Sequence, residues 1–194
     1  MRKLLCYGDS NTYGYDPADY LGGRYPVPDI WTSLVSEALG PEWEVVNQGM
    51  NGRQIPYGPV GFAYLETLLA RLRPDDLLLI MLGTNDILLT DRPDAGAAIL
   101  KMDGLLDWLS SRHPAENTIL IAPPQVGREN GPNALYLRFR EAIRAMNDGF
   151  KALAGEYGVR FADASLWDID LASDLDHFSE RGHRQFAEKL LQFL

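Results

Sequence analysis

The chain has 194 residues, of which 46% are hydrophobic and 23% charged, values typical of a globular protein and not of a disordered one. The formal net charge of −9 argues against nucleic acid and anionic membrane surfaces as partners, because both need clustered lysine and arginine. No apolar run approaches the ~20 residues of a membrane span or the ~7–15 of a signal peptide core, which predicts a cytoplasmic protein.

The first half of the chain alternates short apolar runs with helical patterns. Strands are predicted over residues 3–7, 43–47 and 77–82, each followed by glycine or polar residues. Apolar residues at helical spacing predict helices over 29–39 and 62–72. The third strand is apolar throughout, which is typical of a parallel strand covered by helices on both faces.

The second half continues the alternation. It predicts a helix over 93–109, with Pro93 in its first turn, and a strand over 118–122. A long amphipathic helix follows over 134–154, then a strand over 159–162 and a last helix over 180–193. Strands that alternate with helices of this length indicate a parallel sheet with right-handed crossovers.

We therefore expect a single α/β domain over residues 1–194. It should be a three-layer α/β/α sandwich around a five-stranded parallel sheet with flavodoxin-like strand order. In such sheets the ligand binds outside the carboxyl ends of the strands. Polar residues follow four strands, at Gly8-Asp9-Ser10, Asn47-Gln48-Gly49, Gly83-Thr84-Asn85-Asp86 and Asp174-Leu175-Asp176-His177.

These segments contain the groups that acyl transfer requires. A serine hydroxyl becomes nucleophilic when a base takes its proton, and histidine suits that task near neutral pH. Ser10 is the predicted nucleophile and His177 the predicted base. Asp174, three residues before His177, is the predicted orienting acid, because a tight turn can bring its carboxylate to Nδ1. Asp176 is the rival for that role.

Oxyanion donors are expected from the same segments. The backbone N–H groups of Ser10 and Gly49 and the side-chain amide of Asn85 are the candidates. Glycine at position 49 would let a carbonyl oxygen approach the backbone closely. Asp9 is expected to hydrogen-bond the loop and hold Ser10 in place, and Asp86 to cap a helix or brace a loop.

The four segments resemble the SGNH (GDSL-type) hydrolase superfamily, whose serine, glycine, asparagine and histidine map onto Ser10, Gly49, Asn85 and His177. The resemblance extends over almost the whole chain, with Gly-Thr-Asn-Asp at 83–86 and Asp-x-x-His at 174–177 as its most specific motifs. The family's common leucine after Gly-Asp-Ser is Asn11 in this chain. There is no Gly-x-Ser-x-Gly elbow, which argues against an α/β-hydrolase fold.

Within the superfamily, the chain looks most similar to the arylesterase/acyltransferase branch that includes perhydrolases. The stretches that carry this likeness are residues 8–15, 24–25, 31–32 and 80–86. The resemblance implies a small-molecule ester substrate, short acyl groups, and transfer to alcohols or peroxide in competition with hydrolysis. Oligomers that narrow the active-site entrance occur in that branch, so the resemblance makes a homo-oligomer possible. No cofactor is expected.

Two other functions stay open at this point. A carbohydrate deacetylase would use the same triad and differ only in its loops and pocket lining. A flavodoxin-like module that binds FMN or phosphate is the non-catalytic alternative. A metal site is not expected, because the chain has one cysteine, Cys6, and no His-Glu-x-x-His.

Some further side chains are assigned by position alone. Tyr13, Tyr15 and Trp167 lie near the inferred crevice and are candidates to line the pocket. His113, at the end of a helix, is expected at the surface, and His183 is expected to be structural.

Overall fold

The sheet consists of five strands that all run parallel, in the order β2-β1-β3-β4-β5. The computed structural model describes residues 1–19, 21, 23–127 and 134–194. This strand order is the flavodoxin-like order, so the predicted fold class is confirmed. The strands are β1 (Arg2–Gly8), β2 (Trp43–Gly49), β3 (Leu77–Met81), β4 (Thr118–Ala122) and β5 (Arg160–Asp163).

Helices connect the strands, as the alternating pattern predicts. Within the described residues, no helix is both long enough and apolar enough to cross a membrane. The helices are α1 (Ser10–Tyr13), α2 (Trp31–Leu39), α3 (Gly58–Leu69), α4 (Thr84–Leu88), α5 (Ala95–Ser110), α6 (Ala134–Tyr157) and α7 (Glu180–Phe193).

Alternate residues of each central strand face opposite layers of helices. Along β1, Leu5 and Tyr7 join a core with residues of α3, α5 and α6, whereas Leu4 and Cys6 join a second core with residues of α2 and α7. This follows from the two-residue period of a strand, which places neighbouring side chains on opposite faces. The continuous apolar runs of the sequence are therefore strands buried on both sides.

The boundaries of several elements differ from the predicted ones. Strand β2 continues two residues further, to Gly49, and β5 is shifted by one residue. Helix α3 begins and ends earlier than predicted. Helix α5 begins after Pro93, because the Asp94 side chain caps it by accepting the N–H of Ala97.

Two short helices were not predicted from the sequence, and both lie at the site-bearing edge of the sheet. Helix α1 follows β1 after one residue, Asp9, and α4 follows β3 after residues 82–83. Helices of four or five residues are too short to show an apolar period in the sequence. They place Ser10 and Asn85 in their first turns, beyond the carboxyl ends of neighbouring strands.

Candidate active site

Ser10, His177 and Asp174 form one hydrogen-bonded line. Ser10 Oγ lies 2.9 Å from His177 Nε2, and His177 Nδ1 lies 2.6 Å from Asp174 Oδ2. Because the carboxylate accepts the proton on Nδ1, Nε2 is left to accept from the serine hydroxyl. The structure thus brings together the predicted nucleophile, base and orienting acid.

A tight turn presents Asp174 to the histidine three residues later. Asp174 Oδ1 accepts the backbone N–H groups of Asp176 at 3.2 Å and His177 at 3.1 Å. Leu175 between them adopts a left-handed conformation, with φ 63°, which turns the chain back on itself. Asp176 Oδ2 lies 4.0 Å from His177 Nδ1, beyond hydrogen-bond reach, so the geometry favours Asp174 over its rival.

The charges of this loop prepare His177 to take up a proton. Burial lowers the pKa of His177, but the hydrogen bond to Asp174 and the nearby carboxylates outweigh burial, so the pKa lies above its ordinary value. Burial raises the pKa of Asp174, but the hydrogen bonds that it accepts from His177 and from the backbone bring it below its ordinary value. Asp174 therefore stays ionised and stabilises the imidazolium.

Asp9 fixes the start of the nucleophile helix. Its side chain caps α1 by accepting the N–H of Asn11 over 3.0 Å, and its carbonyl oxygen accepts the N–H of Tyr13. Burial raises the pKa of Asp9 to about 7. The bracing role predicted for this residue agrees with these contacts.

The Gly-Thr-Asn-Asp segment holds the loop that follows β2. Asn85 Nδ2 donates to the carbonyl oxygen of Arg53 over 3.1 Å, which uses one amide proton and leaves the other for a ligand. Asp86 accepts the N–H of Ile55 over 2.9 Å and pairs with Lys101 over 2.6 Å. Of the two roles predicted for Asp86, helix cap and loop brace, these contacts fit the loop brace.

Gly49, a predicted oxyanion donor, has its N–H engaged within the fold. Its N–H donates to Asn47 Oδ1 over 2.9 Å and so is already satisfied. A Cβ at this position would lie 2.0 Å from the backbone nitrogen of Tyr13, so glycine is required for β2 to pack against α1.

Gly52, three positions later, lies at the pocket instead. Its φ is +71°, a conformation that favours glycine, and its N–H finds no acceptor among the described residues. Sequence reasoning missed this residue, although the second glycine of the run Asn-Gln-Gly-Met-Asn-Gly was the available signal.

Arg53, next to Gly52, is a buried anchor that the sequence did not single out. Its Nη1 donates to the carbonyl oxygen of Gly8 over 2.8 Å and also to that of Gln48, and its guanidinium lies 4.2 Å from the ring centre of Tyr7. These contacts tie the loop that carries Gly52 to the ends of β1 and β2.

The triad opens into a pocket of about 390 Å³. The Tyr15 ring lies 4.6 Å from the ring of His177, whereas Tyr13 stacks against Arg24 and the partly buried Trp167 packs against the core. Of the three aromatic residues predicted near the crevice, Tyr15 alone lines this pocket. The lining residues are Ser10, Tyr15, Asn51, Gly52, Asn85, Leu89, Asp174, Asp176 and His177.

The other two histidines lie outside the pocket. His183 is 1% exposed and its Nδ1 accepts the N–H of Trp31 over 3.4 Å; burial lowers its pKa to about 3. His113 is 6% exposed and lies against backbone groups of Asp76 and Asn117, so the predicted surface position is wrong. In the described part of the chain, no group of three or more His, Cys, Asp or Glu side chains could hold a metal ion.

Known proteins match the chain over most or all of its length. The model of the GDSL-like lipase/acylhydrolase family matches residues 6–185. The GDSL lipase Rv0518 of Mycobacterium tuberculosis is 26% identical over 98% of this chain and 80% of its own. The native aryl esterase of M. smegmatis superposes with a TM-score of 0.80 at 27% identity, covering 100% of both chains. A carbohydrate acetylesterase family member from Sinorhizobium meliloti gives 0.80 at 28% identity, covering 98% of this chain and 95% of its own.

Proposed function

Since the chain belongs to the GDSL-like lipase/acylhydrolase family and is a carboxylic ester hydrolase, we propose that it hydrolyses or transfers short acyl groups from small esters through an acyl-Ser10 intermediate. The observation that carries this proposal is the line from Ser10 through His177 to Asp174, with contacts of 2.9 and 2.6 Å. Such a line activates a serine for attack on a carbonyl carbon.

Acylation follows from the protonation states of these groups. Ser10 Oγ attacks the ester carbonyl carbon while its proton passes to His177 Nε2, and Asp174 stabilises the resulting imidazolium. The tetrahedral intermediate collapses when Nε2 gives that proton to the leaving alkoxide. The alcohol departs and the acyl group stays on Ser10.

The negative oxygen of the intermediate needs hydrogen-bond donors. Among the described residues, three N–H groups at the pocket have no acceptor: the backbone N–H groups of Ser10 and Gly52, and the second amide proton of Asn85. Preorganised donors of this kind are each typically worth ~3–4 kcal/mol in the transition state.

Deacylation repeats the steps with a second nucleophile. Water, or an acceptor alcohol or peroxide, attacks the acyl carbon while His177 takes its proton, and the proton then returns to Ser10 Oγ. Hydrolysis and transfer differ only in which nucleophile reaches the acyl-enzyme first. The pocket wall includes Leu89 and Tyr15, apolar surface that favours an organic acceptor over water.

Turnover of p-nitrophenyl acetate with and without an added primary alcohol tests the proposal. We expect p-nitrophenol release in both cases and formation of the new alkyl acetate with the alcohol. Acetate alone as product at high alcohol concentration would contradict acyl transfer. Failure to cleave acetyl, butyryl and octanoyl esters would contradict the small-ester proposal.

The pH dependence of kcat/KM should report His177. The base must be neutral to accept the serine proton, so activity is lost as pH falls through its pKa. Because that pKa is raised above 6.5, we expect the midpoint of the acidic limb above pH 6.5. The measurement is kcat/KM for p-nitrophenyl acetate from about pH 5 to about pH 9. A midpoint at or below 6.5 would contradict the charge arrangement around His177.

A carbohydrate acetylesterase is the second candidate. It is supported by the likeness to the S. meliloti protein and by the polar side chains of Asn51 and Asp176 at the pocket, which could hydrogen-bond sugar hydroxyls. Comparing kcat/KM for acetylated xylose and phenyl acetate distinguishes the two. A large preference for the sugar ester would replace the first proposal. The cytoplasmic location and the homo-oligomer stay predictions.

A further inference from the structure

Asn11 joins the helix of the nucleophile to the loop of the base. The residue is 5% exposed; its Nδ2 donates to the carbonyl oxygen of Asp176 over 3.3 Å, and its Oδ1 accepts the N–H of Phe178 over 2.8 Å. These two peptide groups flank His177 on either side. In a parallel sheet, a residue likewise hydrogen-bonds the two peptide groups on either side of one residue in the neighbouring strand. The carboxamide of Asn11 therefore makes the hydrogen bonds around His177 that a neighbouring strand would make.

We propose that Asn11 is a positioning residue that holds His177 at hydrogen-bond distance from Ser10. Leucine, which is common at this place in the superfamily that the chain resembles, offers neither the donor nor the acceptor. The inference rests on the proposed function, in which Ser10 and His177 exchange a proton.

Asn11 is itself held in place on the side of the nucleophile. Its backbone N–H donates to Asp9 Oδ1 over 3.0 Å, and its carbonyl oxygen accepts the indole N–H of Trp31 over 3.1 Å. Trp31 is 0% exposed and belongs to the core under the sheet. Helix α1 is therefore the rigid side of the contact between Asn11 and the loop of His177. The contact holds that loop in place against α1.

Other contacts to the catalytic loop come from elements that do not carry Ser10. Tyr136 donates its hydroxyl proton to the carbonyl oxygen of Asp174 over 3.0 Å, and Gly127 donates its N–H to that of Leu175 over 2.7 Å. Within the residues described, no other side chain hydrogen-bonds the backbone of this loop from α1. Loss of Asn11 would release the backbone on either side of His177, so the histidine would shift relative to Ser10 and also relative to Asp174, whose part of the loop Tyr136 and Gly127 still hold.

The test compares Asn11→Leu with the wild type. The leucine keeps the branching and the number of heavy atoms of the asparagine side chain but has neither the donor nor the acceptor, so the variant removes both hydrogen bonds. Because a shift of ~1 Å can cost about 10²-fold in rate, we expect kcat for p-nitrophenyl acetate to fall by about 10²-fold and KM to change by less than about 3-fold. We also expect the low-field proton NMR resonance of His177 Nδ1–H, assigned by its loss in His177→Ala, to broaden or disappear.

Asp76→Ala is the matched control. Asp76 is also buried and also makes two side-chain hydrogen bonds to the backbone, accepting the N–H groups of Lys3 and Arg73, but at the opposite edge of the sheet. This variant should lose thermal stability and keep both kcat and the resonance. If the leucine variant does not fold, Asn11→Asp, which keeps the acceptor for Phe178, replaces it in the test. We expect the same loss of kcat and the same change in the resonance of His177 Nδ1–H.

Two outcomes would overturn the inference. One is wild-type kcat in a folded Asn11 variant, and the other is a lowered kcat with an unchanged resonance. The resonance requires no ester, so it reports the Asp174–His177 bond even if the proposed substrate is not turned over.

Discussion

Replacing Ser10 by alanine is expected to lower kcat for p-nitrophenyl acetate by about 10⁴–10⁶-fold, the range for removal of a triad nucleophile. The alanine leaves His177 and Asp174 in place but offers no atom that can carry the acyl group. Stability should change little, because the hydroxyl of Ser10 has His177 as its hydrogen-bond partner and faces the pocket.

Ser33→Ala is the matched control for this change. Ser33 lies on α2, outside the triad pocket, and its loss should leave kcat unchanged. A second measurement is the mass of enzyme quenched in acid during turnover, which should show one added acetyl group in the wild type and none in Ser10→Ala. Retained turnover in the alanine variant would remove Ser10 as the nucleophile.

The strands could be predicted from the sequence because strands that are buried on both faces consist mostly of apolar residues. Strands β3 and β4 are buried at every position, and each appears in the sequence as an uninterrupted apolar run ended by glycine or proline. The helices α1 and α4 show no such apolar pattern, because their first turns are polar and face the site. The elements that carry Ser10 and Asn85 were therefore those that periodicity could not find.

In the site, too, some contacts could be predicted from the sequence and others could not. The contact between Asp174 and His177 joins residues three apart, so spacing alone was sufficient to predict it. The contacts of Asn11 join residues 165 and 167 positions apart, which no local pattern reveals. The choice between Gly49 and Gly52 likewise depends on packing against Tyr13, a contact between elements.

The acid that orients His177 gives the second large effect. Asp174→Asn is expected to lower kcat by about 10³–10⁴-fold, because an amide presents its NH₂ to Nδ1, favours the tautomer with the proton on Nε2, and so removes the base for Ser10. The pKa of His177 should fall at the same time, because the hydrogen bond to Asp174 is a principal cause of its elevation. The acidic limb of the pH profile of the residual activity should therefore move to lower pH.

Asp176→Asn is the control, since Asp174 and Asp176 are the two residues on either side of Leu175. Asp176 also raises the pKa of His177, but it does so through space from 4.0 Å and does not fix the tautomer. We expect kcat within about 10-fold of the wild type, with a smaller shift of the acidic limb in the same direction. If Asp176→Asn instead lost more activity than Asp174→Asn, the turn would have to rearrange during catalysis so that Asp176 replaces Asp174 at Nδ1.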